Sequence, residues 1–315
     1  MCSISGIIKY GKAPILAEMI DQLLLSLEHR GLDATGIALV NDGEIYVYKS
    51  NDSAWLFTTK KEYKNFILEK LNERTQIVLL HTRSYTKGDP RDNENNHPVF
   101  AGNCAIVHNG VIYNDDEVFK EMRLDRKAAV DSDVIRAIVD EYGLTHEAVR
   151  ELENLRGSVA SAIISNEEPG KVLLLRSGNP LIVAATSNEH FIFASEKHAI
   201  HVASRPWRKR FGVDMKPVRA PIDWGTFPDQ SAWLMGSGGL EWHQKFKTAE
   251  LLKGYGRSNA TSISNKSFST DKGIKTVIQC RNCKAWTKSR TSADKIDLDS
   301  FLCGKCGQSV DLSLG

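Results

Sequence analysis

Residues 76–81, Gln-Ile-Val-Leu-Leu-His, restrict the folding of this chain more than any other run. Four consecutive apolar residues, two of them β-branched, break the polar–apolar alternation of a strand with one wet face. The run reads as a strand buried on both faces, so its sheet needs cover on each side. Immediately beyond His81 the chain turns polar. Residues 84–98 form a loop rich in Asn, Asp and Pro, longer than most connections and therefore a candidate functional loop.

The neighbouring sequence supplies partners for that strand. Ser3–Ile8 reads as a β-rich opening strand with Cys2 at its start, and Ile15, Met19, Leu23, Leu24 and Leu27 recur at helical spacing up to Gly31. Ile37–Val40 and Ile45–Tyr48, joined through Asn41-Asp42-Gly43, signal a β-hairpin. A helix is expected over roughly 61–72, a strand over Ala105–His108, and a helix from about Ser132 to Glu141 with Asp131 or Ser132 as its cap. Four more strands are expected around 158–164, 171–176, 180–185 and 190–194. After about residue 200 the pattern weakens, and residues 205–210 form a basic cluster.

Composition narrows the class. The 315 residues are 41% hydrophobic and 25% charged, ordinary for a globular protein, and no apolar run approaches the ~20 residues of a membrane span. Lys9 follows Ile7-Ile8 too soon for a signal peptide, so a cytoplasmic location is expected and the six cysteines read as thiols or metal ligands. Net charge is only +2, but residues 246–315 carry 12 Lys/Arg against 6 Asp/Glu. The basic character sits in the tail.

The chemistry-bearing residues begin at Cys2. An initiator methionine is normally trimmed before so small a side chain, which leaves a cysteine with a free α-amine, pKa about 7.7–8.0, beside a thiol of about 8.5. One residue then holds both nucleophile and base. Four further stretches follow in order: His29-Arg30-Gly31-Leu32-Asp33, His81-Thr82-Arg83, Asn96-His97-Pro98 leading to His108-Asn109-Gly110, and Ser132-Asp133. Taken singly they have bland readings: an arginine at a strand end is a solvated charge, and Ser-Asp before a helix is a cap.

Together, from Cys2 to roughly residue 240, these blocks closely resemble the class II glutamine amidotransferase domain, an N-terminal-nucleophile hydrolase of the glucosamine-6-phosphate synthase and amidophosphoribosyltransferase branch. The resemblance implies an α+β fold, a four-layer αββα sandwich over residues 2–245. It also implies hydrolysis of L-glutamine through a Cys2 thioester, with Asn109 and Gly110 as the oxyanion hole. Arg83 is expected to hold the substrate α-carboxylate and Asp133 its α-ammonium. His81 and Thr82 would line the pocket, and Arg30, Gly31 and Asp33 would brace the nucleophile strand. Cys104 is expected in the core, and His97 and His108 in the scaffold. Two departures stand out: Ser3 where the family commonly has Gly, and Ile135 where an acidic residue usually follows two places after the aspartate. No cofactor is needed for glutamine hydrolysis itself.

The tail carries a separate signal. Residues 246–273 read as a linker, and 274–315 hold Cys280-x₂-Cys283, nineteen residues, then Cys303-x₂-Cys306. Four thiolates at this spacing suit a closed, structural Zn2+ site of zinc-ribbon type, with a redox dithiol or an iron–sulfur cluster as alternatives. Arg281, Lys284, Trp286, Lys288, Arg290 and Lys305 give the ribbon a basic face for a protein partner or nucleic acid. Fewer than 80 residues follow the glutaminase-like region. The expected function is therefore an amidotransferase subunit that delivers ammonia to an acceptor site on a separate synthase. The alternative is a catalytically degenerate fold acting as a zinc-ribbon adaptor.

Overall fold

The computed structural model describes residues 2–186, 190–204, 215–217, 227–246, 276–279 and 286–289. The chain divides into two compact units, residues 1–256 and 257–315.

In the first unit, β1 (Ser3–Lys9) leads to α1 (Ala17–Leu27) and the hairpin β2 (Ala34–Asn41)–β3 (Glu44–Ser50). Next come α2 (Ala54–Thr59), α3 (Lys61–Lys70), β4 (Thr75–Arg83), β5 (Val99–Ala101) and β6 (Cys104–Ile112). Three helices follow, α4 (Asp115–Met122), α5 (Asp133–Tyr142) and α6 (His146–Leu152). The remaining elements are β7 (Gly157–Ser165), β8 (Lys171–Ser177), β9 (Ile182–Thr186), β10 (His190–Ala194), α7 (Lys197–Ala203), β11 (Met215–Pro217), β12 (Ser231–Gly236) and β13 (Gly239–Lys245).

Among the described residues these strands form a seven-stranded sheet, β11-β9-β10-β1-β4-β2-β3, and a six-stranded sheet, β13-β12-β8-β7-β6-β5. Neighbours pair antiparallel. The strand that opened the sequence reading, β4, lies between β1 and β2, where Thr82 is opposite Ser3 on one side and Thr35 on the other.

Side-chain parity explains why β4 has no polar face. Ile77 and Leu79 pack between the two sheets with Ile4, Ile8, Ala105 and Val107. Val78 and Leu80 point the other way, onto α1 and α7 residues such as Met19, Leu23 and Ile200. A third cluster joins α5 and α6 to the outer face of the second sheet through Ile135, Ile138, Val149 and Ile163. The result is the expected helix–sheet–sheet–helix layering. Each fully buried Leu or Ile contributes roughly 1.5–3 kcal/mol from removal of apolar surface from water.

The structure adds elements that periodicity did not announce. The hairpin β12–β13 extends the second sheet through β8, with Leu234 opposite Leu173 and Trp233 opposite Leu174. Its inner strand, Ser-Ala-Trp-Leu-Met-Gly, is buried along its whole length, so it shows no alternation to detect. The short helices α2, α4, α6 and α7 are likewise packing-dependent, being too brief to stand alone in water. Among the described residues, no helix is long and apolar enough to cross a membrane.

In the second unit, β14 (Thr276–Gln279) and β15 (Trp286–Ser289) form an antiparallel hairpin with Gln279 opposite Trp286. Cys280 and Cys283 fall in its connection and, with Cys303 and Cys306, lie outside the described residues.

Candidate active site

The two sheets present one polar end of their facing surfaces, and there the expected blocks meet. On β1 the even-numbered residues Ile4 and Ile8 face the inter-sheet layer, the side on which Cys2 continues. On β4 the same layer receives Ile77 and Leu79, hence also His81 and Arg83; on β6 it receives Ala105 and Val107, hence Asn109. The antiparallel register therefore brings the start of β1, the end of β4 and the end of β6 to one place.

Cys2 is partly buried. Its thiol lies 3.3 Å from Ser84 O, and Ser84 N–H points back at Sγ from 3.4 Å. Burial pushes the Cys2 pKa up, while the Ser84 N–H, the chain's N-terminal charge and Arg83 pull it down. Arg30 Nε donates to Cys2 O at 3.2 Å. Gly31 lets that block press against β4: a Cβ there would lie 2.5 Å from the carbonyl carbon of Arg83. Asp33 receives Tyr85 N–H at 2.9 Å and donates its own N–H to Arg83 O at 2.9 Å. All three residues thus contact the backbone of Cys2 or of the β4 end and the loop beside it.

Asn109 is 3% exposed, yet its side-chain Nδ2 has no hydrogen-bond partner. An unmet buried donor costs roughly 1–3 kcal/mol. The backbone around it is fixed: Asn179 Nδ2 donates to Asn109 O at 3.1 Å and to Ser158 Oγ at 3.0 Å. Gly110 sits where any Cβ would lie 2.0 Å from Ser158 O, so only glycine lets β6 run this close to β7. Nothing in the local sequence pattern of Asn179 announces the contact.

His81 and Thr82 do different work from the pocket lining expected of them. Thr82 faces the helical layer, where its hydroxyl donates to Leu27 O at 3.1 Å. His81 Nε2 donates to His108 O at 3.0 Å, tying the end of β4 to the peptide that precedes Asn109. Its ring stacks on His97, centroids 4.2 Å apart. His108 accepts from the Ser132 hydroxyl at Nδ1, 2.8 Å, and donates from Nε2 to Ser158 O, 3.3 Å. Burial drives all three imidazoles toward the neutral form: the His81 pKa is pushed down to about 3, that of His97 falls well below the usual histidine range, and that of His108 is lowered.

Arg83 is buried and anchors the 84–98 loop. Its NH1 donates to Asn96 Oδ1 at 2.6 Å, and its NH2 to the carbonyls of Lys87 and Gly88, each at 2.7 Å. Burial lowers its pKa; the charges of Cys2 and Asp131 oppose that shift. Asp133 is turned inward. It is fully buried, accepts from Lys127 N at 2.6 Å and Ala128 N at 3.1 Å, and pairs with Arg136 one helical turn on. Its oxygens are spent on the start of α5. The carboxylate at this end whose charge reaches Cys2, Arg83 and His108 is Asp131, braced by Ile112 N–H at 2.7 Å. Asp133, expected to hold a substrate ammonium, is instead engaged by its own helix start.

Residues 81–202 match the family described as glutamine amidotransferase domain. Over that stretch the chain is similar to class II glutamine amidotransferase domains. It is 32% identical over 202 residues to the glutamine–fructose-6-phosphate aminotransferase (isomerizing) of Clostridium acetobutylicum, covering 62% of this chain and 32% of the relative. The Clostridium tetani protein of the same name is 34% identical over 204 residues, 61% and 31% of the two chains. The chain spans about a third of the length of these curated relatives. In fold it is similar to the glutamine phosphoribosylpyrophosphate amidotransferase from B. subtilis, with a TM-score of 0.58 and 20% identity over 78% of this chain and 50% of that one. The likeness extends to a structure described as the allosteric regulatory enzyme of purine biosynthesis, with a TM-score of 0.59 and 18% identity over 79% of this chain and 50% of that one. The N-terminal-nucleophile-hydrolase-like arrangement of two antiparallel sheets is common to them.

Proposed function

We propose that this amidotransferase domain hydrolyses L-glutamine at Cys2 and delivers the ammonia to an acceptor partner. The observation that carries the reading is the buried, unpartnered Nδ2 of Asn109 at the sheet end that also holds Cys2. Once Met1 is removed, the Cys2 α-amine takes the thiol proton and sulfur attacks the side-chain amide carbon of glutamine. The oxyanion is received by Asn109 Nδ2 and the Gly110 N–H. The amine then gives its proton to the departing nitrogen, ammonia leaves, and water cleaves the γ-glutamyl thioester to release glutamate. Arg83 supplies the positive charge for the substrate α-carboxylate, and Asp131 receives the α-ammonium.

The relatives' names pair glutamine with a second substrate, fructose 6-phosphate in the aminotransferases, which supports transfer of the nitrogen rather than its loss. In the second unit, Cys280, Cys283, Cys303 and Cys306 hold a structural Zn2+ as four thiolates. The support is the Cys-x₂-Cys spacing and the β14–β15 hairpin that flanks the first pair, as in a zinc knuckle. The ribbon's basic face then docks the acceptor partner, with nucleic acid as the competing occupant.

The test is glutamate release by the purified chain whose N-terminus mass spectrometry shows to be Cys2. Cys2→Ala is expected to abolish release while leaving the circular-dichroism spectrum unchanged. Undiminished glutamate release in that variant would overturn the proposal.

A further inference from the structure

The nucleophile stands at the end of a strand, where fraying is worst, and β1 is unevenly supported there. On the β4 side the pairing reaches Ser3, opposite Thr82. On the β10 side the sheet register stops at Ser5, opposite Ala194. Beyond that point the chain turns away into α7, which would leave the last residues before Cys2 open on one edge.

The two residues of that corner close the edge with their side chains. Ser195 N donates to Ile4 O at 2.9 Å, and Ser195 Oγ accepts from Ile4 N at 3.0 Å, standing in for the missing strand carbonyl. Glu196 then reaches the next carbonyl outward through an intermediary. It holds Arg30 NH1 at 2.9 Å, and Arg30 Nε donates to Cys2 O at 3.2 Å. The side-chain placement is unusual for its site. Glu196 is the residue before α7, where a short polar side chain normally caps the helix, yet it makes no cap bond. Its carboxylate is directed instead at Arg30, and at His29 Nε2 3.2 Å away. The Arg30–Glu196 pair is part-buried, Arg30 being 12% exposed, so solvent screens it less than a surface pair.

We infer that Ser195 and Glu196 are positioning residues for the nucleophile: together they extend the β10 edge to Cys2 and fix its carbonyl, and hence its thiol and α-amine, against Ser84. Neither touches the substrate position. Their effect is on where Cys2 stands, so it belongs to the chemical step rather than to binding. The inference rests on the proposed glutamine hydrolysis for its kinetic readout, and a second readout is independent of it.

The experiment compares wild type, Glu196→Gln, Arg30→Lys and Ser195→Ala as full-length chains. Glutamine hydrolysis is expected to lose roughly tenfold or more in kcat with KM within about twofold, since a displaced reacting group slows chemistry without weakening binding. In parallel, iodoacetamide alkylation is followed peptide by peptide. Cys2 is expected to react several-fold faster in the variants, while Cys104, fully buried on β6, stays protected and reports global unfolding in the same sample. A wild-type chain that hydrolyses no glutamine sinks the proposed function, and the alkylation readout then decides the inference alone. Wild-type Cys2 alkylation rates in Glu196→Gln and Ser195→Ala overturn it. Cys104 labelling that rises in step with Cys2 in all three variants also overturns it, because the corner then stabilises the whole fold rather than the nucleophile.

Discussion

Acid should destabilise this protein in a window that the inter-sheet histidines define. His81 has a folded-state pKa of about 3, against about 6.5 in an unfolded chain, and burial is the main cause. A histidine depressed in this way stays neutral in the native state while the unfolded chain takes up a proton. Its contribution is intact above pH ~6.5 and is lost as pH falls below that value. The slope is about 1.4 kcal/mol per pH unit for each such group, so His81 alone costs about 2 kcal/mol between pH 6.5 and 5. His97, held well below the usual range by the same burial, acts in the same direction. The His81 loss alone is a sizeable part of the ~5–15 kcal/mol that holds a typical domain folded. His97 offers a clean perturbation, because neither of its ring nitrogens has a partner to lose. His97→Phe keeps a ring stacked on His81 and deletes one proton site. Urea unfolding of both chains from pH 7.5 to 5, followed by backbone circular dichroism, should show the variant's stability falling less steeply. The difference is about 1.4 kcal/mol per pH unit, one proton's worth, and carboxylates common to both chains cancel. Parallel slopes would refute the assignment of a buried neutral imidazole to His97.

Two further outcomes follow from the sites themselves. Asn109→Ala removes the proposed oxyanion donor, whose Nδ2 is unpartnered in this structure, so kcat for glutamine hydrolysis should fall ~10²–10³-fold with a melting temperature equal to or above that of wild type. A loss under tenfold would place the oxyanion elsewhere. Elemental analysis of the full-length chain should find one zinc per chain, absent from Cys303→Ser, with glutamine hydrolysis within about twofold of wild type. Iron in place of zinc would select the cluster alternative.

What was legible in advance had a local physical signature. The doubly buried character of β4 is written in four consecutive apolar residues, and the β2–β3 hairpin in Asn41-Asp42-Gly43. The first helix ends one turn before the Arg30-Gly31 block because its apolar spacing stops at Leu27. The hairpin β12–β13 left no such mark, since a strand enclosed between layers has no period to display. The short helices after β6 escaped for a different reason. A helix such as α6, His146–Leu152, carries only Ala148, Val149 and Leu152 into the core, too few positions to establish a 3.6-residue repeat.

The sequence alone determined which residues are available for chemistry: a cysteine at position 2, an Asn-Gly at a strand end, an arginine closing β4, and four tail cysteines in two pairs. Chain order and residue type are enough for that, because strand register carries whole blocks to the same end of a sheet. Direction was decided only by the tertiary structure. Asp131 and Asp133 are two residues apart at a helix start, where each residue advances about 100°, so they point to nearly opposite sides. Packing sends Asp133 to Arg136 and Asp131 to the Ile112 N–H at the end of β6, where its charge acts on Cys2 and Arg83. Contacts formed across the chain, such as Glu196 on Arg30 over a separation of 166 residues, have no local signature at all. They exist only once β10 and β1 lie side by side.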